Sequence, residues 1–149
     1  MNQEIFKLSF VFEPSLLSEY YSTLSEIQKS KVSNLDITAS FYYQSYNIQI
    51  GYLIISQLEM EIYKKVLDDN YIPYICEEIS QKVLNNKTNL EIELENYINF
   101  YNSIDYDILI YEVNQWLRQR LTLDSILDRI SEFGIETLRP IDREILRSI

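Results

Sequence analysis

Leu35-Asp36-Ile37-Thr38-Ala39-Ser40-Phe41-Tyr42-Tyr43-Gln44-Ser45-Tyr46-Asn47-Ile48-Gln49-Ile50-Gly51-Tyr52-Leu53-Ile54 is the stretch on which the fold turns. Its apolar residues fall at odd positions first (Ile37, Ala39, Phe41, Tyr43) and at even positions afterwards (Tyr46, Ile48, Ile50, Tyr52). Alternation marks a strand with one buried face, and a flip of parity is what two antiparallel arms joined by a two-residue turn require. A turn at Gln44-Ser45 would pair Tyr43 with Tyr46, Phe41 with Ile48, Ala39 with Ile50 and Ile37 with Tyr52. Thr38/Gly51, Ser40/Gln49 and Tyr42/Asn47 would then share the other face. Gln-Ser lacks the Gly or Asn that such a turn favours. The competing reading is one long helix, because Ile37, Phe41, Ile48, Tyr52 and Ile55 also fit a 3.6-residue period. The hairpin is the expectation.

Working outward, Phe6, Leu8, Phe10 and Phe12 alternate with Lys7, Ser9 and Val11 as a half-buried strand that Pro14 stops. Ser15 is placed to cap a helix through Leu16, Leu17, Tyr20, Leu24 and Ile27, ending at Ser33-Asn34. After the hairpin, Leu58, Ile62 and Val66 define a helical face, which Asn70 would close in the left-handed conformation. From Pro73 a further helix would turn Ile75, Cys76, Ile79 and Val83 inward, making Cys76 an inert, buried thiol. Thr88 and Glu91 form a capping box that opens a helix through Leu94, Tyr97, Ile98 and Tyr101; a short strand over 90–95 competes with it. Ser103 would cap a helix to about Leu121, with Ile108, Leu109, Val113, Trp116 and Leu117 inward. Thr122 caps the next, with Ile126, Leu127 and Ile130 as its stripe, Gly134 at its end and Ile135 placed to touch Ile130. Pro140 opens a last helix carrying Ile141, Ile145, Leu146 and Ile149. No linker or repeat divides the chain. The expected architecture is a single α+β domain over 1–149: strand, helix and hairpin in 1–55, helices in 56–121 and a helix pair in 122–149.

Composition excludes much chemistry. The 149 residues carry 13 Lys+Arg against 23 Asp+Glu, a net charge of −10, with no histidine and one cysteine. Histidine acid/base catalysis, Cys-His nucleophiles and nearly all zinc sites are therefore not expected, nor is an intrachain disulfide. With Gly51 and Gly134 alone, no glycine-rich phosphate loop can be written. The most apolar run, Ile48 to Ile55, falls well short of the roughly 18–20 residues of a spanning helix. Met1 to Lys7 lacks a basic leader region, so no secretory signal and a cytoplasmic location are expected. The 13 tyrosines have two explanations: an AT-rich genome, or enrichment for binding.

The segment Ile126-Leu127-Asp128-Arg129-Ile130-Ser131-Glu132-Phe133-Gly134-Ile135-Glu136-Thr137-Leu138, with Arg143, Glu144 and Leu146 beyond, resembles the short helix-Gly-helix tail of some bacterial rhomboid-like membrane proteins. Arg139 stands where that tail has a threonine. The resemblance implies a bacterial origin and a helix pair over about 122–149; the protease part of that family has no counterpart here.

Charge is unevenly spread. Every lysine lies between Lys7 and Lys87 and every arginine between Arg118 and Arg147, while 88–117 holds Glu91, Glu93, Glu95, Asp105, Asp107 and Glu112 with no basic residue. Tyr97, Tyr101, Tyr106 and Tyr111 are interleaved with these acids. Such a segment suits docking on a basic partner, since complementary charge speeds association; acids near helix N-termini are also ordinary dipole complements. Asp68/Asp69 and Asp105/Asp107 lack the accompanying groups of a carboxylate enzyme. Arg139, Arg143 and Arg147 would form a stripe on the last helix. The overall reading is a non-enzymatic acidic protein-binding module, of inhibitor, immunity or anti-defence type, that blocks a basic target surface. It needs no cofactor or metal and contacts neither nucleic acid nor membrane. Its partner surface is expected at Glu91, Glu93, Glu95, Tyr97, Tyr101, Asp105, Tyr106, Asp107, Tyr111 and Glu112. The alternative is a structural or accessory subunit of a larger bacterial assembly, a homodimer included.

Overall fold

The computed structural model describes residues 2–11, 19–45, 48–87 and 104–148. The fold is α+β, with its strands mostly N-terminal and its helices mostly C-terminal. Contacts sort the chain into two compact units, Met1–Ile79 and Ser80–Ile149, where the sequence suggested a single domain; each unit is described by itself.

The first unit holds β1 (Gln3–Phe10), α1 (Glu26–Ser33), β2 (Ala39–Ser45), β3 (Ile48–Ser56), α2 (Gln57–Asp69) and β4 (Ile75–Glu78). Its antiparallel sheet runs β2-β3-β1-β4. The hairpin forms, but with its turn two residues later, so that each β2 residue pairs four positions beyond the expected partner: Ser45 pairs with Ile48, Tyr43 with Ile50, Phe41 with Tyr52 and Ala39 with Ile54. Tyr46 and Asn47, which lie outside the described residues, therefore stand at the connection instead of Gln44-Ser45. The shift also brings Gly51 opposite Tyr42, and a Cβ at Gly51 would overlap the Tyr42 ring. The missing side chain thus makes room for an aromatic ring across the strands.

Because the register shifts by an even number, the expected face survives. Ala39, Phe41, Tyr43, Ile50, Tyr52 and Ile54 share it, with Tyr43 stacked on both Phe41 and Tyr52. The opposite face is not the polar one expected. Phe6, Leu8 and Phe10 of β1 join Leu53 and Ile55 of β3 there, under Met60 and Leu67 of α2 and Ile72. Burial on both faces explains why Tyr52 to Ile55 is an unbroken apolar run rather than an alternation. Tyr42 and Tyr63 also pack against this core; burial first, then the Tyr63 hydroxyl, pushes the Tyr42 phenol far above its ordinary value.

Four helical expectations change in this unit. The single helix from Ser15 to Ser33 is interrupted: helical backbone at 19–22 ends where the Ser22 and Thr23 hydroxyls donate to the Glu19 and Tyr20 carbonyls. Ser25 then caps α1 in a capping box with Gln28; Phe12 and Pro14 to Leu17 lie outside the described residues. In α2 the inward residues are Met60, Val66 and Leu67, while Leu58 and Ile62 are exposed. The left-handed residue after α2 is Tyr71 (φ 56), not Asn70. The Ile72 amide reaches the Leu67 carbonyl (3.0 Å) and the Tyr71 amide that of Asp68 (3.1 Å), a Schellman closure. Finally, 75–78 is a strand rather than a helix. It pairs Cys76 with Leu8 and Lys7 with Glu77, completing the open edge of β1. Cys76 is half-buried, and loss of solvent pushes its thiol up.

The second unit is helical: α3 (Ser80–Leu84), α4 (Ile104–Arg120), α5 (Leu123–Phe133), a 3-10 turn (Ile135–Thr137) and α6 (Pro140–Arg147). The Thr122 cap forms as expected, in a box with Ser125, and Pro140 opens α6. Gly134 ends α5 at φ 97, where other residues are strained, and Ile135 after it is 65% exposed. Both α4 and α5 touch α6. The expected Thr88 capping box and its helix, the Ser103 cap and Ile149 lie outside the described residues.

Candidate functional site

Of the expected partner-binding residues, Glu91, Glu93, Glu95, Tyr97 and Tyr101 lie outside the described residues. Asp105, Tyr106, Asp107, Tyr111 and Glu112 all sit on the first half of α4. This helix buries Leu109, Val113, Trp116 and Leu117, spaced as one face. Ile108, expected inward, is not among them: Ile104, Ile108 and Tyr111 are 75%, 46% and 60% exposed. Helical spacing puts these three in one row with Asp107, and Asp105 and Glu112 along its flank. Asp105 and Asp107 are exposed, whereas Tyr106 and Glu112 are half-buried. The result is an outward strip of aliphatic and aromatic side chains edged by carboxylates. Acids in the first turn and Arg118 and Arg120 in the last also complement the helix dipole. Trp116 is a core residue with the Arg120 guanidinium 4.3 Å above its ring.

The arginine stripe expected on the last helix is not one surface. Arg143 and Arg147 are exposed, but Arg139 is 7% exposed and turned inward with Arg129, at 6%, around the fully buried Asp142. Asp142 Oδ2 accepts from the Arg139 backbone N–H (2.8 Å) and Nε (3.0 Å), and Oδ1 accepts from Nη2 (3.3 Å). Arg129 pairs with Oδ2 as well. The two guanidiniums also cap α3: Arg139 donates to the Val83 and Leu84 carbonyls and Arg129 to Leu84 (3.2 Å). Burial raises the Asp142 carboxyl, but the Arg129 and Arg139 hydrogen bonds outweigh it and hold the group below its ordinary 3.8. The cluster joins α3, α5 and α6 and has no exposed face for a substrate.

Arg129 was hidden in the sequence among the apolar positions of α5. The signal that could have revealed the Arg139–Asp142 pair is Pro140 at the first helical position, which puts Asp142 where a capping carboxylate belongs. A second set of ionisable groups lies on α2 and the segment after it. Tyr74 is pushed up to about 12 by burial and by its hydrogen bond with Asp68, and Lys64 is raised by its hydrogen bond to Glu61 (3.1 Å).

Among the described residues no group of three or more Asp, Glu or Cys side chains is placed to hold a metal ion, and no helix is long and apolar enough to cross a membrane. Set against the known protein families, the curated proteins and the solved structures, the chain finds no match in any of the three.

Proposed function

We propose that this protein works by binding, not by catalysis, and that the outward strip of α4 docks on the basic surface of a protein target. The observation that carries the reading is the row Ile104, Ile108 and Tyr111, exposed on a helix whose other face is already buried, with Asp105, Asp107 and Glu112 beside it. Apolar residues supply contact area, and a carboxylate border selects a cationic partner and speeds its approach. A net charge of −10 strengthens that steering at low salt. An inhibitor, immunity or anti-defence protein acting on a basic target in a bacterial or phage setting is the biological role such a surface suits.

The test begins with capture of the target by tagged protein across a salt series, followed by binding kinetics. Replacing Asp105, Asp107 and Glu112 by Asn, Asn and Gln is expected to slow association roughly tenfold at low salt and to flatten its salt dependence. A triple Glu91, Glu93 and Glu95→Gln variant tests the neighbouring acids in the same assay. Association unchanged in both variants would refute the assignment. A second reading, an accessory subunit of a larger assembly, draws on the first unit. There Ile27, Leu58 and Ile62 are exposed, Ile27 and Ile62 lining a groove between α1 and α2. It predicts a salt-resistant, multi-subunit catch.

A further inference from the structure

The second unit also carries a surface of the opposite sign. Ile135, Leu138 and Leu146 line an open groove of about 490 Å³, bordered by Arg143, Arg147 and Glu136. Arg143 and Arg147 are one helical turn apart on α6, are exposed, and make no ion pair among the described residues. Glu136 does not neutralise them. Its carboxylate lies back over Gly134, where a Cβ would come within 2.5 Å of Oε1. On a chain of net charge −10, two uncommitted arginines over an aliphatic floor are a local reversal of sign.

We infer that this groove binds an acidic amphipathic helix of a partner protein. Arg143 and Arg147 would take two carboxylates spaced i and i+4, about 6 Å apart, while aliphatic residues at i+3 and i+7 cover Leu138 and Leu146. Guanidinium groups suit carboxylates because their paired N–H donors match both oxygens. A nucleic acid is the poorer fit: its phosphates gain nothing from an aliphatic floor, and the surrounding protein repels them. The inference is independent of the α4 reading, since it concerns other residues and the opposite charge.

The probe is a fluorescein-labelled helical peptide with Glu at i and i+4 and Leu at i+3 and i+7, with a Gln-for-Glu twin, read by anisotropy against the full chain. Binding by the Glu peptide, weakened roughly threefold to tenfold in Arg143→Gln/Arg147→Gln and unchanged in Asp105→Asn/Asp107→Asn, supports the proposal. Circular dichroism of the double variant confirms that it folds. Three results overturn it: equal binding of both peptides, no loss in the arginine variant, or displacement by single-stranded DNA at lower concentration than by unlabelled peptide. A concentration-dependent dimer on sedimentation that dissolves in the arginine variant would also overturn it, by making a second copy the occupant.

Discussion

Replacing Asp142 by Asn is the perturbation with the best-defined consequence. The carboxylate is fully buried, receives three hydrogen bonds from Arg139 and pairs with Arg129. Asn is nearly the same size, so the loss is one of charge and acceptors rather than of volume. One carbonyl oxygen remains for the Arg139 amide, while an NH2 group is turned toward donors and two buried guanidiniums lose their counter-charge. Breaking a buried pair in this way costs about 3–5 kcal/mol. For a chain of this length that is a fall in melting temperature of roughly 6–20 °C. The assay is thermal unfolding at neutral pH, with amide exchange on α3, α5 and α6 to localise the effect. The acid limb supplies a second reading. A carboxyl held below its unfolded value contributes stability that is complete above that value, 3.8 here, and is lost as pH falls through the depressed folded value. The parent should therefore lose stability in acid more steeply than Asp142→Asn, and the two curves should converge. A variant that melts within about 1 °C of the parent, with the same acid limb, would show that the cluster adds nothing to the fold.

Gly51→Ala should destabilise the sheet by about 1–3 kcal/mol, because the new methyl meets the Tyr42 ring; in a Tyr42→Ala background the penalty should largely vanish, and a double-mutant cycle in urea measures the difference. Tyr71→Gly should stabilise by about 0.5–1 kcal/mol, because it relieves a left-handed backbone at a side chain that is 89% exposed; a lowered melting temperature would contradict the Schellman closure described after α2.

Much of the fold was legible because it is local. The alternation in β1, the parity flip of the hairpin, the Thr122 cap, Gly134 after α5 and Pro140 at the start of α6 each depend on residues within a few positions of one another. Where local signals competed, distance along the chain decided. Ile75, Cys76, Ile79 and Val83 have helical spacing, yet 75–78 follows the left-handed Tyr71 and Pro73 and lies beside the unpaired edge of β1. Hydrogen bonds to a strand some seventy positions earlier outweighed that spacing. The α4 site was half legible. Acids and tyrosines were visible in the sequence, but the exposure of Ile104 and Ile108 was not, because α4 has apolar residues on more than one face.

The sequence by itself determined the class of the fold, the existence of the hairpin, the sharing of a face by Phe41 and Tyr52, the Thr122 cap, the start of α6 at Pro140 and the absence of histidine chemistry. These follow from periodicity, capping geometry and composition, which need no knowledge of neighbours. Tertiary structure decided the hairpin's final register, the second buried face of the sheet, the strand at 75–78 and the inward turn of Arg129 and Arg139 onto Asp142. Each of these is settled by what an element is placed against. A polar or charged side chain goes into the interior only where distant parts of the chain supply its partners, and no local pattern records which parts those are.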